Sequence, residues 1–343
     1  MEEKGTWQLE ALVKPENPFT NDVLLDWRKQ LDDFNAGAEE CPLPNFRINA
    51  DEEWVAEYQS KYEEKGMGLH FELLPDPFRG DPRAPVWILL LNPGYSEVDR
   101  YDHLGLCPIC GKRLVRVDGK TTSHVNGCVT RFFGSRLPDA SAALKSRQDM
   151  LLEELKLNFS KPRQFLWFDP NFNTVPEENA AAAGKGGRLW WKGFLFGSCD
   201  ERSENYVLPK CKIVKSTPNL NYELGRRIFA LELFPYHSSR FDSGFVYKNT
   251  YRDSQYFRLW YHLVNWAVQT EKILIVRYAA VRDALKDAVG CSLYESYREK
   301  ILNMASIQPS LTYNNIYGRG EKKKNGKSAV ANLEVALTNP FEC

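Results

Sequence analysis

The chain has no apolar run of about 18 residues, the length needed to cross a bilayer as a helix, so no membrane span is expected. It also lacks an excess of either charge: 45 Lys+Arg balance 45 Asp+Glu. A nucleic-acid binder usually carries a basic surplus, which this chain does not have, although only the face meeting phosphate must be positive. The N-terminus, Met1-Glu2-Glu3-Lys4, lacks the basic-then-apolar order of a secretory signal. No internal repeat is visible. These absences lead to the expectation of a cytoplasmic protein whose 8 Cys sit in a reducing compartment, where closely spaced pairs signify metal more often than disulfide.

At 343 residues and 43% hydrophobic content, the chain can bury a sizeable core as one large domain or two small ones. Aromatics reach 13%, enough to fill a core and leave rings for base stacking. Prolines at 15, 18, 42 and 44 punctuate an irregular lead-in with one short helix near Asn21–Phe34. A second helix is predicted over Asp51–Lys65, with Trp54, Val55, Tyr58 and Tyr62 on one face. Beyond Pro75, Pro77, Pro82 and Pro85, the run Val86–Leu91 reads as a buried parallel strand ended by Asn-Pro-Gly.

Phe165–Phe168, Ile228–Phe234 and Ile273–Val276 read as further strands, and Ser254–Gln269 as a well-buried helix. Ala180–Gly187 reads as a low-complexity lid or excursion. Gly318–Ser328 reads as a basic loop before a last strand, Ala329–Leu337. Strands alternating with helices predict a three-layer αβα fold: a mostly parallel central sheet with helices on both faces. The expected division is an N-terminal helical or irregular extension over 1–80 and an α/β domain over 81–343, with a zinc-binding insert at 100–135. In such sheets the chemistry lies beyond the strands' carboxyl ends, which directs attention to the loops after Leu91, Phe168 and Phe234.

Cys107-x2-Cys110, followed by Gly111, and His124-x3-Cys128 have the spacing of a closed tetrahedral zinc site. Four protein ligands leave no open position, so the zinc is expected to be structural. His103 is an alternative to His124. Lys112, Arg113 and Arg116 decorate the insert, either as phosphate contacts or as a solvated charged hairpin. Cys41, Cys199, Cys211, Cys291 and Cys343 lack ligand spacing.

Leu91-Asn92-Pro93-Gly94-Tyr95-Ser96-Glu97 after one strand, and Glu232-Leu233-Phe234-Pro235-Tyr236-His237-Ser238-Ser239-Arg240-Phe241 after another, resemble the two motifs of the uracil-DNA glycosylase superfamily. The mismatch-specific thymine/uracil branch is the nearest. The resemblance covers these motifs and the sheet between them. It implies a monofunctional glycosylase that flips a base from double-stranded DNA, hydrolyses its N-glycosidic bond and leaves an abasic site. Asn92 would position the water. Pro93, Gly94 and Tyr95 would shape the base pocket. His237 would donate to the leaving base, with Tyr236 the alternative. Ser238 and Ser239 would bind flanking phosphates, and Arg240 or Phe241 would fill the hole left by the base. Neither motif contains Lys, which favours water over a Schiff-base nucleophile. Glu97 and Asp99 read as caps of a following helix or as a general base.

Outside the resemblance, Asp169 is an added polar candidate for the pocket. Gly186–Trp191 would form a roomy aromatic wall or simply pack on the core. The added segments suggest a base bulkier than uracil, such as hydroxymethylated or glucosylated cytosine in phage DNA, similar to the targets of bacterial anti-phage glycosylases. Alternatives are repair of mismatched uracil or thymine, a hydrolase of free nucleosides or nucleotides, and a non-catalytic zinc-bearing nucleic-acid- or protein-binding module. No protein partner is implied.

Overall fold

The computed structural model describes residues 17–37, 41–107, 110–113, 140–169, 172, 187–195, 224–304, 311–312, 315 and 327–338. In chain order, the helices and strands that build it are α1 (Asn21–Ala36), α2 (Glu52–Tyr62), β1 (Phe78–Gly80), β2 (Val86–Leu90), α3 (Glu97–Leu104), α4 (Ala140–Glu154), α5 (Gly187–Leu195) and β3 (Ile228–Glu232). There follow α6 (Asn249–Arg252), α7 (Gln255–Gln269), β4 (Ile273–Val276), α8 (Ala279–Val289), α9 (Cys291–Ser296), β5 (Ile301–Asn303) and α10 (Lys327–Thr338). Together they define an α/β fold with a five-stranded sheet in the order β1-β3-β2-β4-β5.

The three central strands are contiguous apolar sequences buried along their whole length, as strands covered on both faces must be. β2 pairs in parallel with β3 on one side and β4 on the other, and β5 continues the parallel set. Only β1 runs antiparallel, against β3. Gly80 ends β1 at a φ of +93°, and any side chain there would collide with the Ile228 carbonyl of β3. Glycine is therefore required for β1 to close on its neighbour.

β2 connects onward to β3 on one side, whereas β4 connects to β5 on the other. The loops leaving β2 and β4 consequently diverge, and they open a crevice at the carboxyl ends of the strands. The core is one continuous cluster that includes Trp27 and Leu31 of α1, Trp54 and Tyr58 of α2, the central strands, Trp260 and Leu263 of α7 and Leu333 of α10. The N-terminal helices share that core.

Two strands expected from sequence are corrected, and two short strands are added to them. Leu166–Phe168 is a 3-10 turn rather than a strand; its apolar side chains are buried, but its main chain closes locally through Phe168 N–H to Phe165 O. Residues 329–337 belong to helix α10, not to a last strand. Ala329, Val330, Leu333 and Leu337 are its buried residues, at helical spacing. The added strands, β1 and β5, have three residues each and were not anticipated, being too short to show a period. No helix among the described residues is long and apolar enough to cross a membrane.

Candidate active site

Beyond Leu90 the chain leaves the sheet through Leu91, Asn92 and Pro93 and turns at Gly94, whose φ is +71°. It re-enters a helix at α3, where the Asp99 carboxylate accepts the Ser96 N–H at 2.6 Å. Asp99 thus caps α3, and burial pushes its carboxyl up to about 6 against the opposing pull of His237. Beyond Glu232 of β3, Leu233 and Phe234 still donate to the carbonyls of Leu90 and Leu91. Paired this way, the two motif loops leave the sheet side by side.

They meet over one cavity of about 530 Å³. Asn92, Pro93, Gly94 and Tyr95 line one side, and His237 through Phe241 line another. Trp167, Trp190 and Trp191 supply an aromatic wall, and Asp76, Arg79, Glu232 and Arg277 supply charge. The juxtaposition of Asn92 and His237 expected from the two motifs is present.

Asn92 is half-buried. Its Nδ2 donates to the Ser238 carbonyl at 3.4 Å, which ties one motif to the other. The amide is thereby oriented, and Oδ1 has no hydrogen-bond partner among the described residues. Tyr95 stacks on His70 at 3.7 Å between ring centroids, with Arg100 at 5.7 Å from its ring. Glu72 holds this group from behind, lying 3.0 Å from His70 and 2.9 Å from Arg100. Burial opposes its ionisation, but the hydrogen bonds from His70, its own backbone and Arg100 carry its carboxyl down to about 2.

His237 is only 3% exposed. Its Nδ1 lies 2.9 Å from the Gly94 carbonyl and its Nε2 lies 3.2 Å from the Leu74 carbonyl. The neutral ring has one N–H and both neighbours are carbonyls, so it donates to one of them while packing between the Asn92 loop and the segment before β1. Donation to a bound base would require that N–H to leave its carbonyl. Burial lowers its proton affinity, while Asp99 and the Gly94 carbonyl raise it.

Tyr236 is corrected as a pocket residue. Its neighbour His237 lines the cavity, whereas its own hydroxyl accepts from Ile48 N–H at 3.0 Å and donates to Asp51 at 3.1 Å in the core. Asp169 is likewise corrected: from that segment Trp167, not Asp169, reaches the cavity. The Ser238 hydroxyl sits between the backbone carbonyls of Met67 and Arg240 and donates its one proton to the nearer, Arg240, while that of Ser239 donates to Gly66 O at 3.2 Å. These serines brace their loop. Phe241 stacks on Tyr58 at 4.6 Å and packs on Phe234 at 4.1 Å, which leaves Arg240 as the exposed tip.

Asp76, Arg79, Glu232, Arg277 and Tyr278 had not been singled out from sequence. Asp76 and Arg79 form a buried ion pair at 2.8 Å. The Arg277 guanidinium lies between the rings of Trp190, at 5.0 Å, and Tyr278, at 4.8 Å. A lone acid ending an otherwise apolar strand, Ile-Phe-Ala-Leu-Glu, was the available signal for Glu232.

The first half of the expected zinc site folds as a tight turn. Cys107 N–H donates to Lys112 O at 2.7 Å, Gly111 N–H donates to Cys107 O at 2.8 Å, and Gly111 adopts a φ of +69°. His124, Cys128 and Arg116 lie outside the described residues. Among the described residues there is no group of three metal-ligating side chains. His103, the alternative ligand, accepts the Leu74 N–H at Nδ1 and sets its ring edge-on to His237 at 5.4 Å. Arg113 is buried, with its guanidinium 3.9 Å from the Phe34 ring and donating to the carbonyls of Phe34 and Gly37. It anchors the insert to the end of α1, and neither expectation for it, phosphate contact or solvated hairpin, holds.

Fold and cavity together define an α/β protein with a polar and aromatic crevice at the carboxyl ends of a mainly parallel sheet. No family model, curated protein or solved structure matches the chain.

Proposed function

We propose that the chain is a monofunctional DNA glycosylase of the uracil-DNA glycosylase type, with helices on both faces of its sheet and a structural zinc. The observation that carries this reading is the convergence of the Asn92 and His237 loops on one crevice. At about 530 Å³ the cavity falls in the range of small-molecule sites, with room for a pyrimidine bearing a bulky 5-substituent. A flipped modified cytosine is the substrate this supports best.

In this mechanism Asn92 Oδ1 holds the attacking water beneath the sugar, while the Nδ2 bond to Ser238 fixes the amide. An amide is a weak activator, so positioning and leaving-group stabilisation supply most of the rate. Tyr95, held by His70, walls the pocket, and Arg240 fills the space vacated by the base. His237 packs between the Asn92 loop and the segment before β1 and keeps the two together. The zinc staples the insert: Cys107 and Cys110 present two thiols from one glycine-relieved turn, a donor set suited to zinc, with His124 and Cys128 completing it.

The test is incubation with duplexes containing uracil, mismatched thymine, 5-hydroxymethylcytosine or its glucosylated form, with mass spectrometry of released bases. Wild type should release a modified cytosine. Asn92→Ala should lose about 100-fold or more of the rate while its DNA affinity stays within about threefold. Release confined to uracil or thymine would assign mismatch repair instead. No release from any duplex would leave a nucleic-acid-binding module, and activity on free nucleosides alone would leave a monomer hydrolase.

A further inference from the structure

Glu232 closes β3 with a carboxyl group that is 7% exposed, lines the cavity and has no hydrogen-bond partner at Oε2 among the described residues. Buried polar atoms are nearly always satisfied, so an open oxygen facing a cavity calls for a functional explanation. Its location is specific. Glu232 pairs in register with Leu90, about 4.8 Å away across a parallel ladder, and Asn92 follows two residues beyond Leu90. Arg79 stands opposite Ala230 across the β1–β3 ladder, so its side chain shares the face of Ala230 and Glu232. The Arg79 Nη2 is also buried, with no hydrogen-bond partner among the described residues. An open donor and an open carboxyl oxygen thus lie on the same face of the sheet at one end of the cavity.

We propose that Glu232 is a further catalytic residue, the acid that gives its proton to the ring nitrogen N3 of a departing cytosine-type base, with Arg79 donating to the adjacent ring carbonyl. The assignment rests on the glycosylase reading above and narrows it to an amino-bearing pyrimidine. A carboxylic acid matches the cytosine edge atom for atom: its O–H meets N3, and its carbonyl oxygen accepts from the exocyclic amino group. Uracil and thymine carry N3–H and offer no basic ring nitrogen there.

In the step itself the Glu232 O–H bond breaks as the N3–H bond forms. The C1′–N1 bond breaks with its electron pair going to the base, which departs neutral. Water adds to C1′ and gives its surplus proton to solvent, and solvent returns a proton to Glu232. One water is consumed and no other reactant is needed.

The surroundings favour the protonated form of the acid. Burial raises its proton affinity well above the ordinary glutamate value, and Asp76 raises it further, while Arg277 and Arg79 oppose them. Tyr256, which donates to the Glu232 main-chain carbonyl at 2.7 Å, and Tyr278 are the other titratable groups facing it.

Glu232→Gln keeps a donor and an acceptor at the same place but has no proton to transfer. For a duplex carrying the modified cytosine that wild type releases, single-turnover rate should fall about 100-fold at pH 7, with affinity within about threefold. The wild-type rate should fall about tenfold per pH unit once the acid titrates, and the variant rate should be flat over that range. A variant rate within about threefold of wild type, or a wild-type rate that shows no fall with rising pH anywhere in the range where the protein stays folded, overturns the proposal while leaving the glycosylase reading in place. Absence of base release by wild type from every duplex overturns both. If Glu232→Gln does not fold, as judged by thermal melting, the wild-type pH profile decides alone.

Discussion

Tyr236 and His237 are adjacent, and their fates diverge because successive residues of extended chain point to opposite sides. The imidazole lines the cavity, while the phenol closes a buried junction with Ile48 and Asp51. Burial pushes the Asp51 carboxyl up to about 6, against hydrogen bonds from Trp54 and Tyr236. Tyr236→Phe would leave the Ile48 N–H and an Asp51 oxygen unsatisfied, and should cost about 2–3 kcal/mol. The urea midpoint should fall with an unchanged slope, while the folded variant keeps the base-release activity of wild type. Unaltered stability combined with lost activity would return Tyr236 to the pocket. Asn92 was legible from sequence because Asn-Pro-Gly must break a strand wherever it occurs. Glu232 was visible as an acid ending an apolar strand, but its place beside Arg79 is set by the pairing of β3 with β1, which no local pattern encodes.

Contiguous apolar strands were readable at the scale of the element, since β2, β3 and β4 are buried on both faces and bounded by turn residues. The same signal failed at Phe165–Phe168, where a short apolar run serves the core from a 3-10 turn; composition alone cannot separate these cases. The turn that carries Cys107 and Cys110 belongs to this scale as well. Its Cys-x2-Cys-Gly order was legible because the motif is local, and the backbone hydrogen bonds of residues 107–112 agree with it. Purified protein never exposed to chelator should contain about one zinc per chain, and Cys110→Ser should lose it, both by metal analysis. Metal-free wild-type protein would remove the staple.

Acids buried at many points of the fold give the whole molecule a shared dependence on pH. Burial raises the carboxyls of Asp51, Asp99 and Asp102 to about 6 and that of Glu154 to about 7. Between the ordinary carboxylate range and about pH 7 the folded state therefore binds more protons than the unfolded chain. Stability must fall as pH rises through that window. His103 and His237, whose proton affinities burial lowers, act in the opposite sense below the ordinary histidine value, but they are two groups against six, since burial raises Asp76 and Glu232 as well. Glu72, held at about 2, contributes stability that is present above its unfolded value and lost only in stronger acid. The urea midpoint should therefore decline between about pH 5 and pH 8. Glu154, whose carboxylate faces the Gly80 N–H at the edge strand, gives the clearest single test. Glu154→Gln stays neutral at every pH, so its midpoint should decline less steeply than that of wild type over the same range. A wild-type midpoint that climbs from pH 5 to pH 8, or a variant with the same slope, would mean that these carboxyls reach water in the folded protein.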